Sequence, residues 1–432
     1  MQRKTFDRDT HLLSTITAEK LQVAGEEEER GQPISDPAIQ LLRQHIFATG
    51  GHVTGSDQAH YQLRSQIWTT SIMLNPPSLW ITINPCNLHD PIAQVFAGEN
   101  IDLDEFDARL GPSKEKRAEN VVLDAYAAAK FFHFLIKTLQ ETVFGVRVTN
   151  HRVYSTPGIF RKVSAYFGVV ESQGRGSLHL HALVWLKNAL PMDDMETFLK
   201  NVEFRQRVKY FIRANLHAYL PGLKSAESIK GIPNKTKVAY LCPPKPGIQD
   251  YDKKTMDLER SVARSKNHHT YKIRCCLVPD RKGGLVCKRR APFDRSEEDY
   301  VQENGLWGPK RLYKFMNRWI PGITINARCN NDGKLLTKGF AYHIQWKTYQ
   351  DSLRDQQRLL LFCLVHTINH EQELAAPMVM SYLIGWGDTY RLHHYTAIYW
   401  SSFVGKLLKA FPGLHQRSVS IREGEERDTN ER

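Results

Sequence analysis

Tyr166-Phe-Gly-Val-Val-Glu-Ser-Gln-Gly-Arg-Gly-Ser-Leu-His-Leu-His-Ala-Leu-Val-Trp185 sets two apolar runs on either side of a polar, glycine-rich connection. The runs extend from Val163 to Val170 and from Leu178 to Leu186, and both are rich in β-branched and aromatic side chains. The connection between them, Glu171 to Ser177, has the composition of a turn. An antiparallel hairpin is the expected structure. Side chains alternate across a strand, so His179 and His181 leave one face together while Leu180 enters the other. Two neutral imidazoles side by side can hold a divalent ion, given a third ligand from elsewhere in the fold. For an isolated His-x-His the commoner outcome is two half-buried histidines satisfied by backbone or water. The flanking apolar run makes this strand central, where an unpartnered histidine is costly.

Outward from the hairpin, Leu79-Trp80-Ile81-Thr82-Ile83 follows Pro76-Pro77 and stops at Asn84-Pro85, a strand bounded by breakers. Val121, Ala125, Ala128, Phe132, Leu135 and Leu139 recur at spacings of four and three and predict a helix. A further helix is expected to begin at Asp193 or Asp194, where a carboxylate can cap free N–H groups. Residues 1–50 contain Glu26 to Glu29 and read as a loosely ordered lead-in. The segment from Cys242 to Arg295, rich in Pro, Gly and Lys, reads as a loop-dominated insertion. From Leu353 onward, Leu359, Leu360, Phe362, Leu364, Val365 and Ile368 predict a buried helix within a helical extension over 341–432.

The 432 residues carry 59 Lys plus Arg against 46 Asp plus Glu, a formal charge of +13 that attracts polyanions. Lys253, Lys254, Arg260, Arg264, Lys266, Lys272 and Arg274 lead into Arg281, Lys282, Lys288, Arg289 and Arg290. So dense a run favours a phosphate-facing surface or a nuclear-import patch. No run approaches the roughly 18–20 apolar residues of a membrane span. The first 28 residues lack the apolar core of a signal peptide. The expected location is the nucleus or cytoplasm, without secretion. Disulfides are not expected among the seven cysteines; Cys86, Cys242, Cys329 and Cys363 stand alone and default to small buried hydrophobes.

The stretch Tyr166 to Trp185 resembles the HUH motif of the Helitron helicase-like N-terminal domain of fungal transposons. Leu63-Arg-Ser-Gln-Ile-Trp68 with Pro76 to Pro85 is similar to the first motif of rolling-circle replication initiators. Cys287-Lys-Arg-Arg-Ala-Pro-Phe293, Trp307-Gly-Pro-Lys310, Cys329-Asn-Asn-Asp-Gly-Lys-Leu-Leu336 and Leu374-Ala-Ala-Pro-Met378 extend the similarity, which covers Gly51 to Pro412. The resemblance implies an α+β fold, an HUH-type antiparallel sheet in a split βαβ arrangement over 51–340 with helices on one face. It implies a metal (Mg²⁺ or Mn²⁺) on His179 and His181, single-stranded DNA as partner, and a tyrosine that attacks the scissile phosphate. Arg175, Lys288, Arg289 and Arg290 are the expected DNA contacts. No membrane partner or small-molecule substrate is expected.

Complete Helitron proteins continue into a helicase, but Gly333-Lys334 and Gly405-Lys406 are each followed by Leu, so no P-loop occurs and no helicase activity is expected. The family's Tyr-x-x-x-Tyr helix is also missing: Gly339 runs directly into Phe340-Ala-Tyr-His343. Impaired catalysis follows, unless Tyr342 or Tyr349 has taken over the attack. A non-catalytic DNA-binding remnant is the alternative. His268, His269, Cys275, Cys276 and Cys287 form a second constellation, read either as a structural zinc site or as scattered reduced cysteines with their histidine neighbours. In the family Tyr271 is a position where a cysteine ligand is to be expected. Trp386, Tyr390, Tyr395, Tyr399 and Trp400 are read as core in preference to base-stacking platforms.

Overall fold

The computed structural model describes residues 9–30, 32–50, 63, 66–67, 69–71, 73–104, 111–149, 153–172, 177–232, 242–271, 276–279, 284–287, 289–337, 375–391 and 409. The chain divides into two compact units. One comprises Met1–His52, Gln58–Thr70 and His394–Arg432; the other comprises Val53–Asp57 and Ser71–His393.

In the first unit, the expected loose lead-in gives way to two helices, α1 (Ala18–Glu29) and α2 (Pro37–Gly50). Thr17 caps α1 by accepting from Lys20 N. Between the helices the Glu27 carboxylate accepts from Ser35 N at 2.8 Å. Asp36 accepts from Ala38 N and Ile39 N, at 2.8 and 3.1 Å, at the start of α2. Ala24, Ile34 and Ile39 form a small core with Ile16 packed against it. The run of glutamates suggested disorder, but it forms the last turn of α1, with Glu27 half-buried and the other three exposed.

The second unit follows in chain order. β1 is Leu79–Asn84; α3 (Pro91–Phe96), α4 (Lys114–Leu123) and α5 (Ala125–Thr138) come next, and a π turn at Leu139–Val143 ends the helical run. β2 (Val146–Val148) pairs with β3 (Val153–Ser155). β4 (Val163–Ser172) and β5 (Leu178–Leu186) form the long hairpin. Four helices follow: α6 (Met192–Lys200), α7 (Val202–Asn215), α8 (Ala226–Lys230) and α9 (Tyr251–Lys266). The short ladders β6 (Leu277–Pro279) with β7 (Leu285–Cys287), and β8 (Tyr300–Val301) with β9 (Trp307–Gly308), precede α10 (Pro321–Ala327). β10 (Asn330–Leu335), α11 (Ala376–Leu383) and β11 (Thr389–Arg391) complete the unit.

Five strands make one antiparallel sheet in the order β10-β1-β5-β4-β11. The fold is therefore mixed α and β, with the three strands read from sequence at its centre. Ile81, Ile83, Leu180, Val184 and Val170 fill one face and are essentially inaccessible. Gly333 on β10 belongs to that face, and close packing explains the absent side chain. A Cβ there would lie 2.5 Å from Leu216 Cδ2 and 2.9 Å from Ile320 Cγ1. At the end of the same strand, buried Asn331 accepts from Ile320 N at 2.7 Å and donates to Thr324 Oγ1 at 2.9 Å, which ties β10 to α10.

Several boundaries differ from the sequence reading. The helix through Val121 and Leu139 is two helices, because Asp124 leaves helical geometry (φ −116°, ψ 83°). Its carboxylate caps α5 by accepting from Ala127 N at 2.8 Å. α6 begins at Met192 with Pro191 in the N-cap position and no side-chain cap, instead of an Asp193 or Asp194 cap. Proline pre-sets the backbone for a helix start. The Cys242–Arg295 segment holds the sixteen-residue α9. Lys253, Lys254, Arg260, Arg264 and Lys266 belong to that helix and mask its thin stripe of buried Leu258, Val262 and Ala263. Cys242 is exposed and Cys86 half-buried, against the expectation for both; Cys329 is buried as expected. Cys363 and the helix expected from Leu353 to Ile368 lie outside the described residues.

The returning segment 375–391 is held by a chain of hydrogen bonds. The Tyr390 hydroxyl meets His133 Nδ1, His133 Nε2 faces Ser381 Oγ at 2.9 Å, and Ser381 donates to the Pro377 carbonyl at 3.0 Å. Burial lowers the His133 pKa to about 4, so the ring is neutral and can accept on one side while donating on the other. Tyr390 is thus part of the core, whereas Trp386 is 39% exposed and lies against Tyr126 and His133. Tyr395, Tyr399 and Trp400 lie outside the described residues. No described helix is long and apolar enough to cross a membrane.

Candidate metal centre

The second face of the sheet buries Phe167, Val169, Leu183 and Trp185, and at one end strand register assembles a polar cluster on it. On β5, His179 stands opposite Glu171 of β4, while His181 stands opposite Thr82 of β1. These four side chains therefore share one face without any loop having to place them. His179 Nε2 and His181 Nε2 lie 3.0 Å apart. Glu171 Oε2 lies 2.8 Å from His179 Nε2 and 3.3 Å from His181 Nε2. Three potential ligand atoms meet at a point that is largely enclosed: His179 is 7% exposed.

The second layer fixes the orientation of one ring. Thr82 Oγ1 is 3.0 Å from His181 Nδ1 and accepts from Trp80 Nε1 at 3.2 Å. The Trp80 ring also lies against His181, with centroids 5.4 Å apart. With the Nδ1 proton donated to Thr82, the Nε2 lone pair of His181 faces Glu171 and His179. His179 Nδ1 is buried with no hydrogen-bond partner among the described residues.

In that tautomer the arrangement is difficult to satisfy with protons alone. His181 Nε2 is then an acceptor beside a carboxylate oxygen that is also an acceptor. A single Nε2–H on His179 cannot serve both well. A cation at the meeting point would satisfy the lone pairs of all three ligand atoms at once. The spacing fits as well: adjacent ligands of an octahedral ion with bonds of about 2.1 Å are about 3 Å apart. Two imidazoles and one carboxylate make a set of borderline hardness that can take a divalent ion such as Mn²⁺ or Zn²⁺.

Residues 2–184 match the family described as the Helitron helicase-like domain at N-terminus. Over this span the chain is similar to that family. No curated protein matches the chain. The matched span includes α1, α2, β1, β4 and β5 up to Val184, and so all of Glu171, His179, His181 and Thr82 lie within it.

Glu171 is the residue missed by sequence reading, because it adjoins the Gly-rich turn and was counted with it. Strand parity was the available signal: extending β4 to Ser172 puts Glu171 across from His179. Of the expected DNA contacts, Arg289 and Arg290 are exposed, and Arg290 has a left-handed backbone (φ 59°). Arg175 and Lys288 lie outside the described residues, as do Tyr342 and Tyr349.

The second constellation is partly assembled. His269, Cys276 and Cys287 converge, whereas His268 turns to a backbone bridge with Met316 and packs on Tyr313. Cys275 lies outside the described residues. Burial and the Arg289 charge lower the pKa of His269.

Proposed function

We propose that this Helitron-related domain binds a divalent ion and single-stranded DNA at the polar end of the second sheet face, as a nicking and strand-transfer domain impaired in its covalent step. The convergence of Glu171, His179 and His181 carries this reading. Glu171 Oε2 and the two Nε2 atoms would hold Mg²⁺ or Mn²⁺. When bound, the ion supplies Lewis-acid polarisation of the scissile phosphate. The protein's own part is orientation. Thr82 and Trp80 hold the His181 ring in one tautomer, and the strand register keeps Glu171 facing both imidazoles. The surrounding hydrophobic sheet restricts water and strengthens the electrostatics of the site.

In an intact relative a tyrosine oxygen bonds to phosphorus while the 3′ oxygen leaves, so the phosphodiester energy is conserved for rejoining. The impairment is motivated by the stretch directly after Gly339, where Tyr342 has Trp346 four residues on and no Tyr-x-x-x-Tyr pair; the pair with that spacing, Tyr395 and Tyr399, comes more than 50 residues later. That stretch equally favours a second reading, a DNA-binding remnant that never cuts. Incubation with labelled single-stranded DNA and Mn²⁺, followed by a denaturing gel, separates these. A low yield of nicked product that vanishes in His179→Ala supports the impaired nuclease. Salt-sensitive binding without any product supports the remnant. Abundant covalent adduct lost in Tyr342→Phe overturns the impairment, and absence of DNA binding overturns both readings.

A further inference from the structure

Away from the sheet, β6 and β7 form a ribbon of three residues per strand, paired Leu277 with Cys287 and Pro279 with Leu285. Its side chains give it little to stand on. Val278, Leu285 and Val286 are all exposed. A two-stranded ribbon of this size is not stable by itself in water. Yet three soft or borderline ligands meet at its base. Cys276 immediately precedes β6, Cys287 ends β7, and His269 follows α9 with its backbone N–H bonded to the Phe315 carbonyl at 2.8 Å. One ligand atom from each lies within 4.8 Å of the other two, and Cys287 Sγ is 3.3 Å from His269 Nε2. Neither Cys276 nor Cys287 is in a disulfide.

The geometry points to a structural zinc site formed by His269, Cys276 and Cys287, which staples the β6–β7 ribbon to the chain leaving α9. Two thiolates and one imidazole neutralise Zn²⁺ and supply three of its four tetrahedral positions. With Zn–S near 2.3 Å and Zn–N near 2.0 Å, the edges of that tetrahedron are about 3.5–3.8 Å, within reach of the observed spacing. Thiolates select zinc over Mg²⁺ or Mn²⁺. Metal binding also supplies the stability that a short ribbon lacks. One consequence reaches the DNA surface and rests on the proposed DNA-binding role. Arg290 N donates to the Cys287 carbonyl at 2.7 Å, so the ligand at Cys287 fixes the turn that presents the exposed Arg289 and Arg290.

The experiment uses the full chain purified without chelator. Elemental analysis should find stoichiometric zinc, retained in the His179→Ala/His181→Ala variant and lost in Cys276→Ser/Cys287→Ser. Because the cysteine variant can misfold, the wild-type chain supplies a second readout. A thiol-specific mercurial should release zinc in step with thiol modification, and bound zinc should slow thiol labelling by on the order of tenfold. Removing zinc with a chelator should weaken single-stranded DNA binding and leave Mn²⁺ affinity unchanged. Zinc retained in the double cysteine variant, or equal thiol labelling with and without zinc, overturns the site. Zinc bound as described with DNA affinity unaffected by its removal keeps the staple and overturns only its link to Arg289 and Arg290.

Discussion

At His217 and at His179 an imidazole nitrogen faces a glutamate oxygen at nearly equal distance, 2.7 Å to Glu259 and 2.8 Å to Glu171. The surroundings differ in kind. His217 Nδ1 meets Glu259 while its Nε2 faces the Arg213 carbonyl at 2.8 Å, so both ring nitrogens donate and the ring is held as a cation. Trp319 Nε1 adds a third donor, at 2.7 Å to Glu259 Oε1. Every group has a partner of the opposite role. On the sheet, by contrast, two imidazole nitrogens and a carboxylate oxygen converge on one point from neighbouring strands. A histidine–glutamate contact therefore says little until the remaining nitrogens are accounted for. A saturated network holds structure together, and an unsaturated convergence of lone pairs is poised for a cation.

The two sites should respond to mutation in opposite ways. Glu259→Ala leaves a half-buried imidazolium and a buried indole N–H without their acceptor and should cost about 2–4 kcal/mol in urea unfolding. A loss below about 1 kcal/mol would break the contrast at its structural end. Glu171→Gln should lower Mn²⁺ affinity on the order of 100-fold, read by calorimetry, while the metal-free protein unfolds within about 1 kcal/mol of wild type. Unchanged affinity would remove Glu171 from the ligand set. Thr82→Val keeps volume but removes the hydroxyl that orients His181; a fall of about tenfold in Mn²⁺ affinity is expected, with His179→Ala as the limiting case. If the valine variant binds metal as wild type does, ring orientation comes from Trp80 packing alone.

The smallest effect concerns pH. Burial alone would lower the His217 pKa, but the bonds to Glu259 and the Arg213 carbonyl outweigh it and the pKa is raised above 6.5. A raised folded-state value means that the stabilisation is complete below about pH 6.5 and fades as pH climbs through the folded value. The stability gap between wild type and His217→Gln should therefore narrow from pH 6 to pH 9. A gap that widens would show that the ring is neutral in the folded state.

Sequence pattern alone revealed the central strands because their signals are local. Breakers bound Leu79–Asn84, and alternation puts His179 and His181 on one face. Glu171 was hidden because its role depends on how far the β4–β5 ladder extends toward the turn, which is a property of pairing and not of composition. α9 was hidden for the opposite reason: its charged residues outnumber a stripe of three buried apolar ones, and tertiary packing decides the helix. The saturated pair was invisible as well, since His217 and Glu259 are 42 residues apart and neither belongs to a motif.

The placement of β11 has a consequence for how the protein is made. Thr389 pairs with Val169, some 220 positions earlier, and Val170 N donates to the Asp388 carbonyl at 2.7 Å. Until the ribosome has delivered residues 388–391, the outer edge of β4 has no strand beside it there, although the hairpin bearing the histidines is already complete. Contacts so distant in sequence form late and slow folding. During that interval an apolar strand offers its free N–H and C=O groups to any other extended chain, the condition under which proteins self-associate. A copy interrupted by a stop codon before residue 388 would keep every proposed metal ligand and yet be expected to accumulate as insoluble protein.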